Sequence, residues 1–320
     1  MSNFAGYLAK RLGFMTISLF VISVLIFVLT QVLPGNAANT LLGSYATDEN
    51  IAAIERQLGL NEPLYVQYYI WLQELLFNSG GVSYIHSSPV MDEVMPRLAR
   101  SLALAGLTTA ITVFVGIPLG VLAAQYARSR SSSIINGATY IGASVPEMVS
   151  GTLLLMLFAG PYLSIFPGGG YSPIGDGVVD WLRHLALPSI SLSLVLTAHV
   201  MRQTRSGMIE TLRAEYIRTA RLKGLSERTV LFKHALRNGL LPTITVLALN
   251  MGWLIGSIVV VEEVFTYPGI GRLAVTAIQE RDLPLVQLSV LVIAFGYIIA
   301  NFLADILYSY LDPQIEYGDR

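Results

Sequence analysis

The run LGFMTISLFVISVLIFVLTQVL at residues 12–33 contains no charged side chain. A helix needs roughly 20 apolar residues to cross a bilayer core about 30 Å thick, and a charge at its centre costs several kcal/mol. The run is therefore predicted to be a transmembrane helix. It follows Lys10 and Arg11, as the apolar part of a signal peptide would, but it is longer and ends without a small-x-small cleavage site. We expect a retained anchor.

The composition of the whole chain also indicates a membrane protein. Of the 320 residues, 53% are hydrophobic and only 13% are charged, whereas about a quarter of the residues in ordinary soluble domains are charged. The mean hydropathy is +0.60. The formal net charge of -1 argues against a basic surface for nucleic acid. The absence of cysteine excludes disulfides, thiolate metal sites and cysteine nucleophiles.

Further charge-poor stretches divide the rest of the chain. They lie at residues 101–127, 131–175, 184–201, 238–261 and 283–304. The stretch at 131–175 contains one acid, Glu147, and its second half is rich in proline and glycine, which predicts a loop there. We therefore predict an all-α integral membrane protein with six transmembrane helices.

The distribution of basic residues predicts the orientation of these helices. Positively charged loops stay in the cytoplasm, and an arrangement with both termini cytoplasmic places most Lys and Arg residues on that side. The predicted parts are an N-terminal segment with the first helix (1–33), an extracytoplasmic cap loop (34–97), a five-helix core (98–311) that includes a cytoplasmic segment (202–240), and a tail (312–320).

The predicted cap has amphipathic patterns at residues 51–58 and 64–77, so we expect it to be ordered. Its aromatic residues allow two interpretations, an aromatic belt at the membrane interface or a docking face for an external partner. They are Tyr65, Tyr68, Tyr69 and Trp71.

The cytoplasmic segment at 202–240 has more basic than acidic residues and an apolar pattern at helical spacing. It predicts two short amphipathic helices. Gly224 separates them and suits a helix end with positive φ, and Ser226 is placed to cap the second helix. Composition alone leaves contact with anionic lipid and docking to a protein equally open.

This segment resembles a known signature. EYIRTARLKGLSER at 215–228 and HALRNGLLP at 234–242 are similar to the coupling-helix region of binding-protein-dependent ABC importer permeases. More narrowly, they resemble the B-type permease subunit of the dipeptide, oligopeptide and nickel family. Arg218 and Thr219 replace the first two residues of the general Glu-Ala-Ala signature, while Ala220 and Gly224 are retained. This departure is usual for the peptide branch.

The resemblance covers essentially the whole chain. Other similar motifs are LPGN at 33–36, LGLNEP at 58–63, VEEVFTYPGIGRL at 261–273, RDLPLVQ at 281–287 and LDP at 311–313. One departure is GGVS at 80–83, where relatives usually have Gly-Asp-Leu-Gly.

The resemblance implies an ATP-driven importer of the type I fold in a prokaryotic inner membrane. This chain would pair with a homologous second permease, two ATPase subunits and an external solute-binding protein. ATP and Mg²⁺ would bind to the ATPases, and no cofactor, metal or catalytic residue is expected in this chain, which lacks a Gly-x-x-x-x-Gly-Lys-Ser/Thr loop. Di- or oligopeptides are the expected cargo, with opine-like compounds, oligosaccharide or nickel as alternatives. A secondary transporter is a weaker alternative, because no inverted repeat is visible.

Two groups of candidate site residues follow. The resemblance implies that the ATPase-coupling residues are Glu215, Tyr216, Arg218, Thr219, Ala220, Arg221, Lys223 and Gly224. The candidate pathway-lining residues are Ser144, Glu147, Asn250, Trp253 and Ser257. Glu147 is an acid within an apolar span, which is a functional-site hypothesis because its burial is expensive. It could contact a substrate amine or cation, or pair within the permease.

Overall fold

The computed structural model describes residues 2–32, 47–57, 61–127, 129–161 and 163–311. Within these ranges the chain is helical, and its β-structure is limited to one bridge between Val82 and Pro89. The predicted all-α class is confirmed. The LPGN motif at 33–36, the start of the motif at 58–63 and the predicted tail at 312–320 lie outside the described residues.

The helices follow the predicted order along the chain. They are α1 (Ser2–Val32), α2 (Asp48–Gln57), α3 (Leu64–Phe77), α4 (Val90–Gln125), α5 (Arg130–Ser144), α6 (Glu147–Ala159), α7 (Val178–Leu212), α8 (Glu215–Leu222), α9 (the helical pieces Glu227–Thr229, Val230–Ala235 and Leu236–Gly239), α10 (Leu241–Val264), α11 (Ile270–Glu280) and α12 (Leu283–Leu311).

Within the described residues, α1, α4, α7, α10 and α12 are long and apolar enough to cross a membrane. They correspond to five of the six predicted spans. The third predicted span is instead divided into α5 and the shorter apolar helix α6. Pro146 disfavours the helical conformation of the residue before it, and Val145 accordingly has φ -93 and ψ 122. The span is therefore interrupted completely at Pro146, whereas α4 and α7 continue through Pro118 and Pro188.

Helix α7 is longer than the charge pattern predicts. The sequence places the end of this span near Met201 and assigns Met208 and Leu212 to a separate amphipathic helix. In the structure α7 continues to Leu212. Basic residues such as Arg202 and Arg205 mark the end of a membrane span, but arginine is a good helix former and does not end the helix.

The contacts divide the chain into two compact units. The first contains the residues up to Leu102 together with Pro268–Ile298. Its core joins the start of α4 to α11 and the start of α12, through residues such as Val90, Val94 and Leu285.

A buried carboxylate holds the loop before α4 in this first unit. Asp282 accepts hydrogen bonds from the Ser83 hydroxyl and from the backbone N–H groups of Tyr84 at 3.2 Å and Ile85 at 3.3 Å. It also accepts one from the backbone N–H of Leu285 at 3.3 Å, in the first turn of α12. One side chain therefore caps a helix and fixes the adjacent loop.

The second unit contains Ala103–Tyr267 and the end of α12. Helix α7 is its centre and packs against α4, α5, α6, α9 and α10. Of its most apolar window, 61% is buried inside the protein, against 17% for α1 and 28% for α10. Gly120 allows close packing of α4 on α7, because a Cβ there would lie 2.5 Å from the Thr204 Cβ atom.

Candidate functional sites

One face of α8 is buried in the second unit. Ile217 and Ala220 have exposed fractions of 0% and 7%. They belong to a cluster, here called the α8 cluster, formed by Ala124, Met208, Ile217, Ala220, Val230, Leu231 and Ala235. The sequence predicts that the small Ala220 lets a partner approach the helix backbone. The structure instead places Ala220 against the chain's own α9 and α7, so its small size serves this internal packing.

The turn after α8 has the predicted conformation. Gly224 has φ +77, a left-handed conformation that glycine adopts without the cost that a side chain incurs. The Ser226 hydroxyl accepts a hydrogen bond from the backbone N–H of Thr229 at 3.3 Å and caps the next helical piece. Both predictions for this turn are confirmed.

The opposite face of α8 is exposed and bears the remaining candidate coupling residues. They are Glu215, Tyr216, Arg218, Thr219, Arg221 and Lys223. The sequence prediction missed Leu222, whose side chain is 81% exposed at the end of the helix. Leu222 does not lie on the buried face of α8 that contains Ile217 and Ala220. Its position on the helical wheel is therefore the signal that could have identified it. A single exposed apolar side chain is ordinary on a protein surface, and Leu222 is of interest because it lies among the exposed candidate coupling residues.

Some of these polar side chains already have partners in the chain. Arg221 donates two hydrogen bonds to the Glu227 carboxylate, at 2.8 and 3.2 Å. Asn238 Nδ2 donates to the Tyr216 hydroxyl at 2.9 Å. Within the described part of the chain, no ion pair involves Arg218 or Lys223. These two cations, unlike Arg221, are therefore available to acids of another molecule.

A close helix crossing joins this segment to α7. A Cβ atom on Gly207 of α7 would lie 2.5 Å from the carbonyl oxygen of Gly239 at the end of α9. A Cβ on Gly239 would in turn collide with the Met208 sulfur. The two glycines let the backbones approach, so the end of α9 packs closely on α7.

The second candidate site is the break between α5 and α6. Glu147 is the first residue of α6, and its carbonyl oxygen accepts hydrogen bonds from the hydroxyls of Ser150 and Ser191, both at 3.1 Å. The Ser257 hydroxyl lies 3.5 Å from Glu147 Oε1, a long hydrogen bond. The structure therefore brings together two predicted pathway residues, Glu147 and Ser257, and adds two serines that the sequence prediction missed.

The other candidate pathway residues do not contact this carboxylate. Ser144 and Asn250 donate hydrogen bonds to carbonyl oxygens of their own helices, at 2.7 Å each. Trp253 lies one turn before Ser257 on α10 and is 36% exposed. Among the described residues, no group of three or more His, Cys, Asp or Glu side chains could hold a metal ion.

Comparison with known proteins assigns the chain to a family. The family model described as the binding-protein-dependent transport system inner membrane component matches residues 116–317, which include both candidate sites. The chain belongs to this family. The model of the N-terminal membrane component of such transport systems matches residues 4–105 of the permease. The resemblance inferred from the coupling motif is therefore confirmed, and the permease is a multi-pass membrane transport subunit.

Relatives of the permease match along nearly their full length. A probable peptide ABC transporter permease protein of Sinorhizobium fredii is 38% identical over 97% of this chain and 99% of its own. The oligopeptide transport system permease protein AppB of Bacillus subtilis is 36% identical over 98% and 100%. The dipeptide transport system permease protein DppB of Alkalihalophilus pseudofirmus is 34% identical over 98% and 99%.

Proposed function

We propose that the permease forms half of the translocation pathway of an ATP-driven importer for di- or oligopeptides. The observation that carries this proposal is the full-length similarity to permeases named for peptides. The other half is a homologous permease, an external solute-binding protein delivers the peptide, and both termini lie in the cytoplasm of a prokaryote. Two ATPase subunits bind ATP and Mg²⁺, so the chain itself needs no nucleotide site.

The exposed face of α8 is the docking surface for the ATPase. Leu222 is its apolar anchor, because burial of a leucine side chain on docking contributes about 2 kcal/mol to the free energy of binding. Arg218 and Lys223 flank it as cations without an ion pair in the described part of the chain. Such charges contribute to the rate and specificity of association more than to affinity.

Movement of the ATPase reaches the membrane through rigid packing. The α8 cluster and the Gly207–Gly239 crossing attach the docking surface to α7. Because α7 is the most buried span and contacts α6 through Ser191, a displacement of α8 moves the elements around Glu147 as a body. This is the rigid-body type of switching transition.

Uptake by the complete importer in proteoliposomes tests the docking surface. Replacement Leu222→Asp places a charge in the apolar contact, and we expect uptake of alanyl-alanine and peptide-stimulated ATP hydrolysis to fall at least about tenfold. The matched control Leu222→Met keeps an apolar side chain of similar size and should retain uptake. Normal uptake by Leu222→Asp would contradict the docking role of α8.

Glu147 is proposed to bind the ammonium group of the peptide as it crosses the membrane. Glu147 is the acidic residue of the predicted span that is divided into α5 and α6. Among the described residues, Ser257 is the one hydrogen-bond donor to its carboxylate, at 3.5 Å. A charge-assisted hydrogen bond contributes about 1.5 to 3 kcal/mol, which corresponds to a preference of at least about tenfold.

The test compares alanyl-alanine with N-acetyl-alanyl-alanine, which lacks the ammonium group. Replacement Glu147→Gln should reduce uptake of the free peptide and leave the rate for the acetylated peptide unchanged. Glu147→Asp should retain part of the preference, because it keeps the charge. An equal loss for both peptides would assign Glu147 to the structure of the break instead of to substrate binding.

A further inference from the structure

A cavity of about 320 Å³ lies in the first unit, beside the loop at residues 80–84. Its walls come from the end of α1, from α3 and from the start of α12. Neither the coupling segment nor Glu147 contributes to it, and the transport mechanism proposed above does not use it.

The cavity lies where two membrane spans end. The candidate span of α1 ends at Gln31 and that of α12 begins at Leu283, and both residues line the cavity. Helix α3, which forms another wall, exposes large apolar side chains, namely Leu64, Tyr65, Tyr69, Leu76 and Phe77. Tyrosine side chains such as Tyr65 and Tyr69 are enriched at the boundary between lipid head groups and acyl chains, so we place α3 there. The cavity therefore opens at head-group depth.

The side chains of the cavity favour a cationic group. Among the described residues, Glu74 is the one charged residue that lines it, and the one donor to its carboxylate is Asn78, at 3.0 Å. The rings of Phe27 and Trp71, 5.9 Å apart, supply aromatic surface in the same wall, which also attracts cations. The chain's own segments at 33–46 and 58–60 contain no Lys or Arg that could occupy the cavity.

A neutral hydrogen-bond donor accompanies the carboxylate. Tyr84 lines the cavity, and burial, with a smaller effect of the Asp282 carboxylate, raises the pKa of its phenol to about 12. The phenol is protonated at neutral pH, as that of an ordinary tyrosine is, and can donate a hydrogen bond to a phosphate oxygen. The amides of Gln31, Gln67 and Gln287 add neutral polar groups to the lining.

We propose that this cavity binds the head group of a phospholipid that bears a primary ammonium, as phosphatidylethanolamine does. The ammonium donates hydrogen bonds to Glu74, the phosphate accepts one from Tyr84, and the acyl chains follow the exposed apolar surface of α3. Phosphatidylcholine has no N–H to donate to Glu74, and phosphatidylglycerol brings a net negative charge towards it. The site therefore selects among lipids, and its occupancy does not depend on the cargo of the importer.

Native mass spectrometry of the intact complex in detergent tests this site. Phosphatidylethanolamine, phosphatidylcholine and phosphatidylglycerol with identical acyl chains are titrated separately. We expect the ethanolamine lipid to bind about tenfold more tightly than the other two, as a charge-assisted hydrogen bond predicts. Glu74→Gln should abolish this preference, and it keeps an amide oxygen to accept the hydrogen bond from Asn78. Glu49→Gln, which neutralises an exposed acid of α2, should preserve the preference.

Other outcomes would overturn the proposal. Equal binding of the three lipids to the unmodified complex would show that the cavity is not selective. An unchanged preference in Glu74→Gln would show that Glu74 does not bind the ammonium group. Displacement of the ethanolamine lipid by alanyl-alanine, which has the same ammonium without acyl chains, would identify a peptide site instead. Each result is independent of transport activity.

Discussion

The turn at Gly224 provides the sharpest test of the coupling geometry. Its φ of +77 lies in the left-handed region, and a Cβ atom added there would meet nothing within 4 Å. A substitution therefore acts through the backbone conformation and not through a collision. The left-handed conformation costs a residue with a side chain about 1 to 2 kcal/mol, and a β-branched residue such as valine incurs at least this cost.

An energetic cost of this size lowers the population of the conformation in which α9 is correctly placed. With RT near 0.6 kcal/mol, 1 to 2 kcal/mol lowers that population about 5- to 30-fold relative to its alternatives. We expect Gly224→Val to reduce uptake by up to this factor, the full loss applying where the alternative placements of α9 are already comparably populated, while the protein remains inserted in the membrane. Gly224→Asn is the matched control, because asparagine tolerates the left-handed conformation better than other residues with side chains.

The assay is uptake of labelled alanyl-alanine by proteoliposomes with equal amounts of complex, together with the amount of ATPase retained on each permease variant. The predicted order of uptake is Gly, then Asn, then Val. Equal uptake by the valine and asparagine variants, or normal uptake by the valine variant, would refute the reasoning that the turn conformation positions the coupling segment.

The remaining predictions concern stability. Gly120→Ala should lower the unfolding temperature in detergent, because its Cβ would crowd α7 at a cost of about 1–3 kcal/mol; Gly137→Ala, with nothing within 4 Å, is the control, and equal melting would contradict the packing. Asp282→Ala leaves buried donors unsatisfied, and we expect hydrogen exchange at the Ile85 amide to accelerate at least about tenfold; unchanged protection would contradict the clamp. Tyr84 has a pKa raised to about 12, so the unfolded state ionises first and stability should fall between pH 10 and 12 by up to about 3 kcal/mol. Tyr84→Phe should flatten this alkaline decline in a thermal melt, and an identical decline would be evidence against the raised pKa.

The sequence predicts the membrane spans well, because absence of charge over about 20 residues is a direct requirement of the bilayer. Helix ends are harder to predict. The charge pattern places the end of the fourth span near Met201, but Arg202 and the residues after it continue α7 to Leu212. The composition of the third predicted span indicates one membrane-crossing helix. The structure instead has two shorter helices, α5 and α6, which are separated at Pro146. A charge pattern reports where the chain leaves lipid and does not report where the helix stops.

The candidate sites show the same division between local and long-range information. The turn at Gly224 and the cap at Ser226 depend on neighbouring residues and were predictable. The contact between Glu147 and Ser257 joins residues 110 positions apart, so the sequence could name both residues but could not pair them. Ser191 was missed because a serine in an apolar helix usually bonds to its own backbone.

Helix packing produced the other differences. The inward position of Ala220 and the exposure of Leu222 depend on how α8 lies on α9 and α7. The glycine crossing at Gly207 and Gly239 also requires the tertiary structure, since isolated glycines in helices have many roles. These features depend on how the helices pack, and the periodicity of the sequence alone does not predict that packing.

The most direct test of the account is the composition of the complex in its native membrane. The tagged permease is purified in mild detergent, every co-purifying polypeptide is identified, and the mass of the complex is determined. We expect one homologous permease and two ATPase subunits for each copy of this chain. A lone chain or a homodimer without an ATPase, under conditions that preserve known importers, would contradict the central claim.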